Sequence, residues 1–141
     1  MTDLPDVNVW VALTAPEHPH HQEALNYWRT ASAPRIAFCS ATMMGLLRVL
    51  TSPHVLGTDP LTTAEAWATY RDWRRDKAVV YAGEPVRCQL KLDDYVQNGF
   101  VRPKIWSDAY LAAFAESGDM RLVSFDADFT RFPSLNLLSP K

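Results

Sequence analysis

Short apolar runs alternate along this chain with longer stretches whose apolar residues recur every three or four positions. That alternation predicts strands followed by helices, and so an α/β layered domain with a mostly parallel sheet. The first strand is very short and ends at Asp6, and a helical pattern follows through Val7, Trp10, Val11 and Leu13. His18-Pro19-His20-His21 breaks that pattern and introduces a second helix, in which Ala24, Leu25 and Trp28 share one face. Ala33-Pro34 turns the chain into a strand, Arg35 to Cys39. Ser40 or Thr42 is expected to cap the next helix, which runs through Leu46, Leu47, Val49 and Leu50 until Ser52-Pro53 stops it. Thr62-Thr63-Ala64-Glu65 has the form of a capping box ahead of Trp67, Tyr70 and Trp73. Ala78 to Tyr81 reads as a strand and Cys88 to Val96 as a helix, with Asn98-Gly99 as its stop. Lys104 to Glu116 reads as the last long helix, closed by Gly118. Leu122 to Phe125 has the unbroken apolar character of a strand buried on both faces. Leu135 to Leu138 is expected as a final edge strand, ended by Pro140.

No repeat, linker or low-complexity tract interrupts this order, so residues 1–141 are expected to form a single domain. A net charge of −2 argues against binding nucleic acid by bulk charge, while leaving room for a local basic face. Cys39 and Cys88 have no metal-binding spacing, which points away from zinc and towards reduced thiols in a cytoplasm. The segment Met1 to Asp6 lacks the basic start and apolar run of a signal peptide. No stretch of about 18 apolar residues is present to span a membrane.

Four aspartates then change the picture: Asp6, Asp108, Asp126 and Asp128. Ligands of parallel α/β sheets bind outside the carboxyl ends of the strands, where Asp6 and Asp126 are expected. Asp108 falls in the first turns of a helix, whose dipole tolerates an anion. If the strands ending near Asp6 and Asp126 are neighbours, the four carboxylates converge. Clustered carboxylates repel one another unless a cation is present, and magnesium takes hard oxygen ligands while keeping several waters. A bound magnesium ion lowers the pKa of a water and stabilises charge on a phosphate oxygen, so the implied chemistry is phosphodiester hydrolysis. Taken singly, each acid is better explained as a solvated turn residue or a helix cap; the strand-end placement of two of them brings the two readings of the set level.

The ordered set Asp6-Val7-Asn8-Val9, Leu47-Arg48-Val49-Leu50-Thr51, Asp108-Ala109-Tyr110-Leu111-Ala112 and Leu122 to Phe129 resembles the PIN-domain ribonucleases, specifically VapC-type toxins of toxin–antitoxin pairs. The resemblance covers essentially the whole chain. It implies a three-layer α/β/α sandwich and a magnesium-dependent endoribonuclease, manganese being an alternative ion. It also implies a homodimer held in check by a small VapB-like antitoxin. By carry-over, Asp6 and Asp108 are the main metal ligands, Asp126 completes the pocket and Asp128 supports it. Asn8 is expected to orient Asp6, and Ser124 to act similarly near the last acids. The chain departs from the family pattern at Gly45, where a Glu is usual, which puts a second metal position in doubt. It also opens an alternative, a catalytically weak or inactive PIN-like module that binds RNA or protein. Glu84 is a nearby acid considered as a substitute.

His18, His20 and His21 lack i, i+4 spacing and read as the lead-in to a helix rather than a metal site. Arg102 and Lys104, just upstream of Asp108, are the candidates for holding RNA phosphates. Trp28, Met43, Trp67, Tyr70 and Trp73 read chiefly as core, with an aromatic-rich interface as the other use. Phe125 to Thr130 superficially fits the nucleophile motif of haloacid dehalogenase phosphatases, but too short a tail follows for that domain.

Overall fold

The computed structural model describes residues 1–53, 57 and 59–141. The first half contains β1 (Thr2–Pro5), α1 (Val7–Thr14), α2 (His21–Thr30), β2 (Arg35–Phe38), α3 (Ser40–Thr51), α4 (Thr63–Arg75) and β3 (Val79–Tyr81). The second half contains α5 (Cys88–Gln97), α6 (Trp106–Ser117), β4 (Arg121–Val123) and β5 (Leu137–Leu138), with 3-10 turns at Pro103–Ile105 and Ala127–Arg131. The strands form one parallel sheet in the order β3-β2-β1-β4-β5.

Side chains alternate between the two faces of a strand, and the core divides accordingly. Ile36 and Phe38 pack with Val9, Trp10, Leu46 and Tyr70, on the side of α1 to α4. Ala37 and Cys39 pack with Tyr95, Ala112 and Phe114, on the side of α5 and α6. The result is the expected three-layer α/β/α sandwich. The chain first steps from β1 to β2 to β3, then returns to place β4 and β5 on the other side of β1. Right-handed crossovers in opposite directions send their helices to opposite faces, which accounts for the two layers. The reversal at β1 also creates a crevice beyond the carboxyl ends of β1 and β4.

Most local signals act as expected. Thr62 and Glu65 form the capping box, with Oγ1 of Thr62 accepting from the Glu65 amide at 3.1 Å and the Thr62 amide donating to Glu65 Oε1 at 2.9 Å. Gly99 ends α5 with a φ of +74°, which a residue with a Cβ rarely adopts.

Several boundaries differ from expectation. Cys39, not Ser40 or Thr42, occupies the N-cap of α3, and Thr42 Oγ1 accepts the Cys39 amide from inside the first turn at 3.0 Å. The segment at Lys104 is a 3-10 turn closed by the Ile105 amide on the Arg102 carbonyl, so α6 starts only at Trp106. Strand β4 ends at Val123 rather than Phe125, because the Phe125 amide donates to Asn8 Oδ1 instead of to a strand. Strand β5 is shortened to two residues, since the Leu135 amide closes a turn on Phe132.

At the amino end of the sheet lies a feature the sequence reading passed over. Asp3 is fully buried and accepts from Tyr27 Oη at 2.6 Å, the Ala33 amide at 2.9 Å, and Arg121 Nε and Nη2 at 2.8 and 3.0 Å. No described helix is long and apolar enough to cross a membrane.

Candidate functional site

The acids gather at the other end of the sheet, in the crevice beyond β1 and β4. Asp6 follows the last residue of β1 and is the N-cap of α1. Its Oδ1 accepts from the Val7 amide at 2.7 Å, and its Oδ2 accepts from the Ser124 hydroxyl at 2.8 Å. Its amide donates to the Val123 carbonyl at 2.8 Å, which fastens the end of β1 to β4.

Ser124 is the hub of this network and is almost completely buried. Besides donating to Asp6, its Oγ accepts from the Asp126 amide at 3.0 Å and from Asn8 Nδ2 at 3.3 Å. Asn8 therefore reaches Asp6 through Ser124 rather than by touching it. Its Oδ1 accepts the Phe125 amide at 3.3 Å and so holds the loop that carries Asp126. Asp126 caps the 3-10 turn, its Oδ1 taking the Asp128 amide at 2.9 Å, and leaves its second oxygen outside that bond. Asp128 is exposed at the rim.

Asp108 lies in the first turn of α6, near the positive end of the helix dipole. Its pKa is nevertheless raised to about 6, first by burial and then by the charges of Asp6, Asp126 and Asp128, while Arg131 pulls it down. The Asp6 pKa is also raised by burial and by Asp126, against the Ser124 and Val7 hydrogen bonds that lower it. These effects place Asp6, Asp126 and Asp128 each within electrostatic reach of Asp108, and Asp126 within reach of Asp6.

Among the described residues, no three acid, His or Cys side chains stand close enough together to enclose a metal ion. The donors at hand are carboxylate oxygens, the hard ligands magnesium takes, and one or two of them commonly suffice because water and substrate oxygens fill its remaining positions. The repulsion felt by Asp108 is the kind a divalent cation would relieve.

Arg102 and Lys104 are exposed on the segment leading into α6. The cation acting on Asp108 is instead Arg131, whose Nε donates to the Asp128 carbonyl at 3.1 Å. Sequence reasoning missed it, because its bond is to a backbone carbonyl that the 3-10 turn brings round. Glu84 accepts from Tyr110 Oη at 2.6 Å. In the His-Pro-His-His turn, His21 Nδ1 bonds the Ala12 carbonyl at 2.7 Å, and His20 stacks on Phe125 at 4.6 Å and pairs with Glu23. His18 lines a cavity of about 670 Å³ that opens beside Asp6, together with Val7, Val11, Glu17, Pro19 and Val49.

Comparison with known proteins finds likeness along almost the whole chain. Residues 4–135 match the family described as the PIN domain. The chain is 40% identical over 139 residues to Ribonuclease VapC41 of Mycobacterium tuberculosis, covering 95% of each protein. It is 31% identical over 130 residues to Ribonuclease VapC29 of the same organism, covering 90% of this chain and 87% of the relative. Among solved structures it superposes on VapBC2 from Rickettsia felis, bound to a promoter DNA fragment, with a TM-score of 0.69 at 16% identity over 99% of this chain and 98% of the other. At that identity the likeness is one of fold.

Proposed function

We propose that this chain, which belongs to the PIN domain family, is a magnesium-dependent endoribonuclease and the toxin of a type II toxin–antitoxin pair. The observation that carries the reading is the pocket at the carboxyl edge of β1 and β4, where Ser124 joins Asp6 to the Asp126 loop and Asp108, at the start of α6, lies within electrostatic reach of Asp6, Asp126 and Asp128. The ribonuclease names of the relatives support the substrate class.

Magnesium, when bound, would supply a water of lowered pKa and charge stabilisation on a phosphate oxygen. Asp6 and Asp108 would hold it, with Asp126 completing the acid pocket and Asp128 supporting from the rim. Ser124 and Asn8 keep the Asp6 carboxylate and the Asp126 loop in one orientation. Arg131 stands where it would meet a phosphate oxygen of RNA, and Arg102 and Lys104 offer further cations along the approach. The partners in this reading are the RNA substrate, a second copy of the chain and a small VapB-like antitoxin.

The test is cleavage of a structured RNA by the purified protein in magnesium. EDTA is expected to abolish it, and Asp6→Asn and Asp108→Asn to lower it about 100-fold or more. Full activity in either variant would overturn the assignment. With Gly45 in place of an acid, calorimetry is expected to count one magnesium ion per chain; two would contradict this. The toxin half predicts growth arrest on induced expression, relieved by co-expression of the cognate antitoxin. A second reading, a weak or inactive RNA- or protein-binding module, draws on Gly45 and predicts binding without cleavage.

A further inference from the structure

We infer that Gly45 and Val7 form a size-matched positioning pair that holds the Asp6 carboxylate in place, an inference that rests on Asp6 belonging to the nuclease site. Gly45 lies inside α3, where glycine is a poor helix former and so calls for a reason. The reason is contact with α1. A Cβ at position 45 would lie 2.3 Å from Val7 Cγ2, and 3.3 Å from both Val7 Cβ and Cγ1. Ordinary carbon contacts are about 3.5–4.0 Å. Val7 is branched at Cβ and has little rotamer freedom with which to retreat.

Val7 is not a neutral neighbour. It is the first residue of α1, and its amide donates to Asp6 Oδ1 at 2.7 Å. Val7 also lines the cavity beside Asp6 together with Val49, one turn along α3 from Gly45. Any side chain at 45 therefore pushes Val7 and, through the amide, displaces the carboxylate held between it and Ser124. By the same geometry α3 adds no carboxylate at this position while Val7 stands there, so the site keeps its four aspartates.

Two kinds of measurement test the pair. Gly45→Ala is expected to lower kcat about 10- to 100-fold, since small displacements at a reacting centre cost that much, with KM within about twofold. It should also weaken Mn2+ binding, measured by calorimetry with the metal alone. The Val7→Ala/Gly45→Ala protein should recover most of both losses. Melting in EDTA supplies a sign reversal: Gly45→Ala lowers Tm beside Val7, yet raises it in the Val7→Ala background, where alanine's helix propensity acts unopposed. Wild-type kcat, Mn2+ affinity and Tm in Gly45→Ala would overturn the pair, as would losses that Val7→Ala fails to relieve. If the unsubstituted protein cleaves no RNA, the nuclease reading fails by itself, and the Mn2+ affinities and the Tm reversal decide the positioning pair.

Discussion

The Ser124 hydroxyl joins the two halves of the acid pocket, donating to Asp6 and accepting from Asp126 and Asn8. Ser124→Ala leaves two donors without their acceptor and frees one carboxylate oxygen. A loss of about 1–3 kcal/mol in stability is expected, the usual cost of unpaired buried polar groups. A fall in kcat exceeding any rise in KM should accompany it, measured by denaturant melts and steady-state cleavage. Asp108 makes a prediction of opposite sign. Its folded pKa of about 6 stands above the ordinary 3.8, so folding favours the protonated carboxyl and works against the ionised one. That penalty is fully present above pH 6, fades as the pH falls through the folded value and is gone below 3.8. Asp108→Asn should therefore raise Tm in EDTA at pH 7.5, lose that advantage near pH 4, and be inactive throughout. An equal or lower Tm at pH 7.5 would refute the raised pKa that burial and the neighbouring acids give Asp108. Arg131→Ala should raise KM for RNA by removing the cation over the pocket. Asp6 and Asp108 were legible because one closes β1 and the other opens α6, and Asp126 and Asp128 because both follow the apolar run of β4. Arg131 was not, since its relation to Asp108 exists only after the 3-10 turn folds back.

Helices and strands were legible where local chemistry sets them, as at the Thr62-Glu65 box and the Asn98-Gly99 stop, and less so where a distant partner decides. Strand β4 ends at Val123 because Asn8, on α1, takes the Phe125 amide. The same holds for Asp3, which a strand-end reading overlooks because its alternation looks polar. In the fold, Asp3 and Arg121 stand opposite each other in the β1–β4 register and share an ion pair whose Asp3 end is fully buried. Removing one partner of such a pair strands the other's charge, at a cost of about 3–5 kcal/mol. Asp3→Ala is expected to lose that much in denaturant unfolding. Because the pair lies at the amino edge of the sheet, kcat per folded molecule should stay at the wild-type value. A selective fall in kcat would show that the β1–β4 pairing is tuned from both ends.

At the scale of the whole molecule, the strand order was the least legible feature. No local pattern says that β4 inserts beside β1, yet that step brings Asp6 and Asp126 together. Side chains left over by the packing belong to this scale too. On the segment from β3 into α5, Tyr81 is 41% exposed, Leu90 58% and Val86 fully exposed, and Met44 on α3 is 40% exposed. Ser40 Oγ bonds Tyr81 Oη at 2.5 Å, which ties the start of α3 to the end of β3. Apolar groups concentrated in one stretch are what a contact surface needs. The homodimer proposed above would cover them. Light scattering after size exclusion is expected to give twice the chain mass of 15.9 kDa. Val86→Asp and Leu90→Asp should shift it towards a single copy with little change in the Tm of the isolated chain, since both side chains sit in water there. A monomeric wild type, or a dimer untouched by both charges, would place the interface elsewhere.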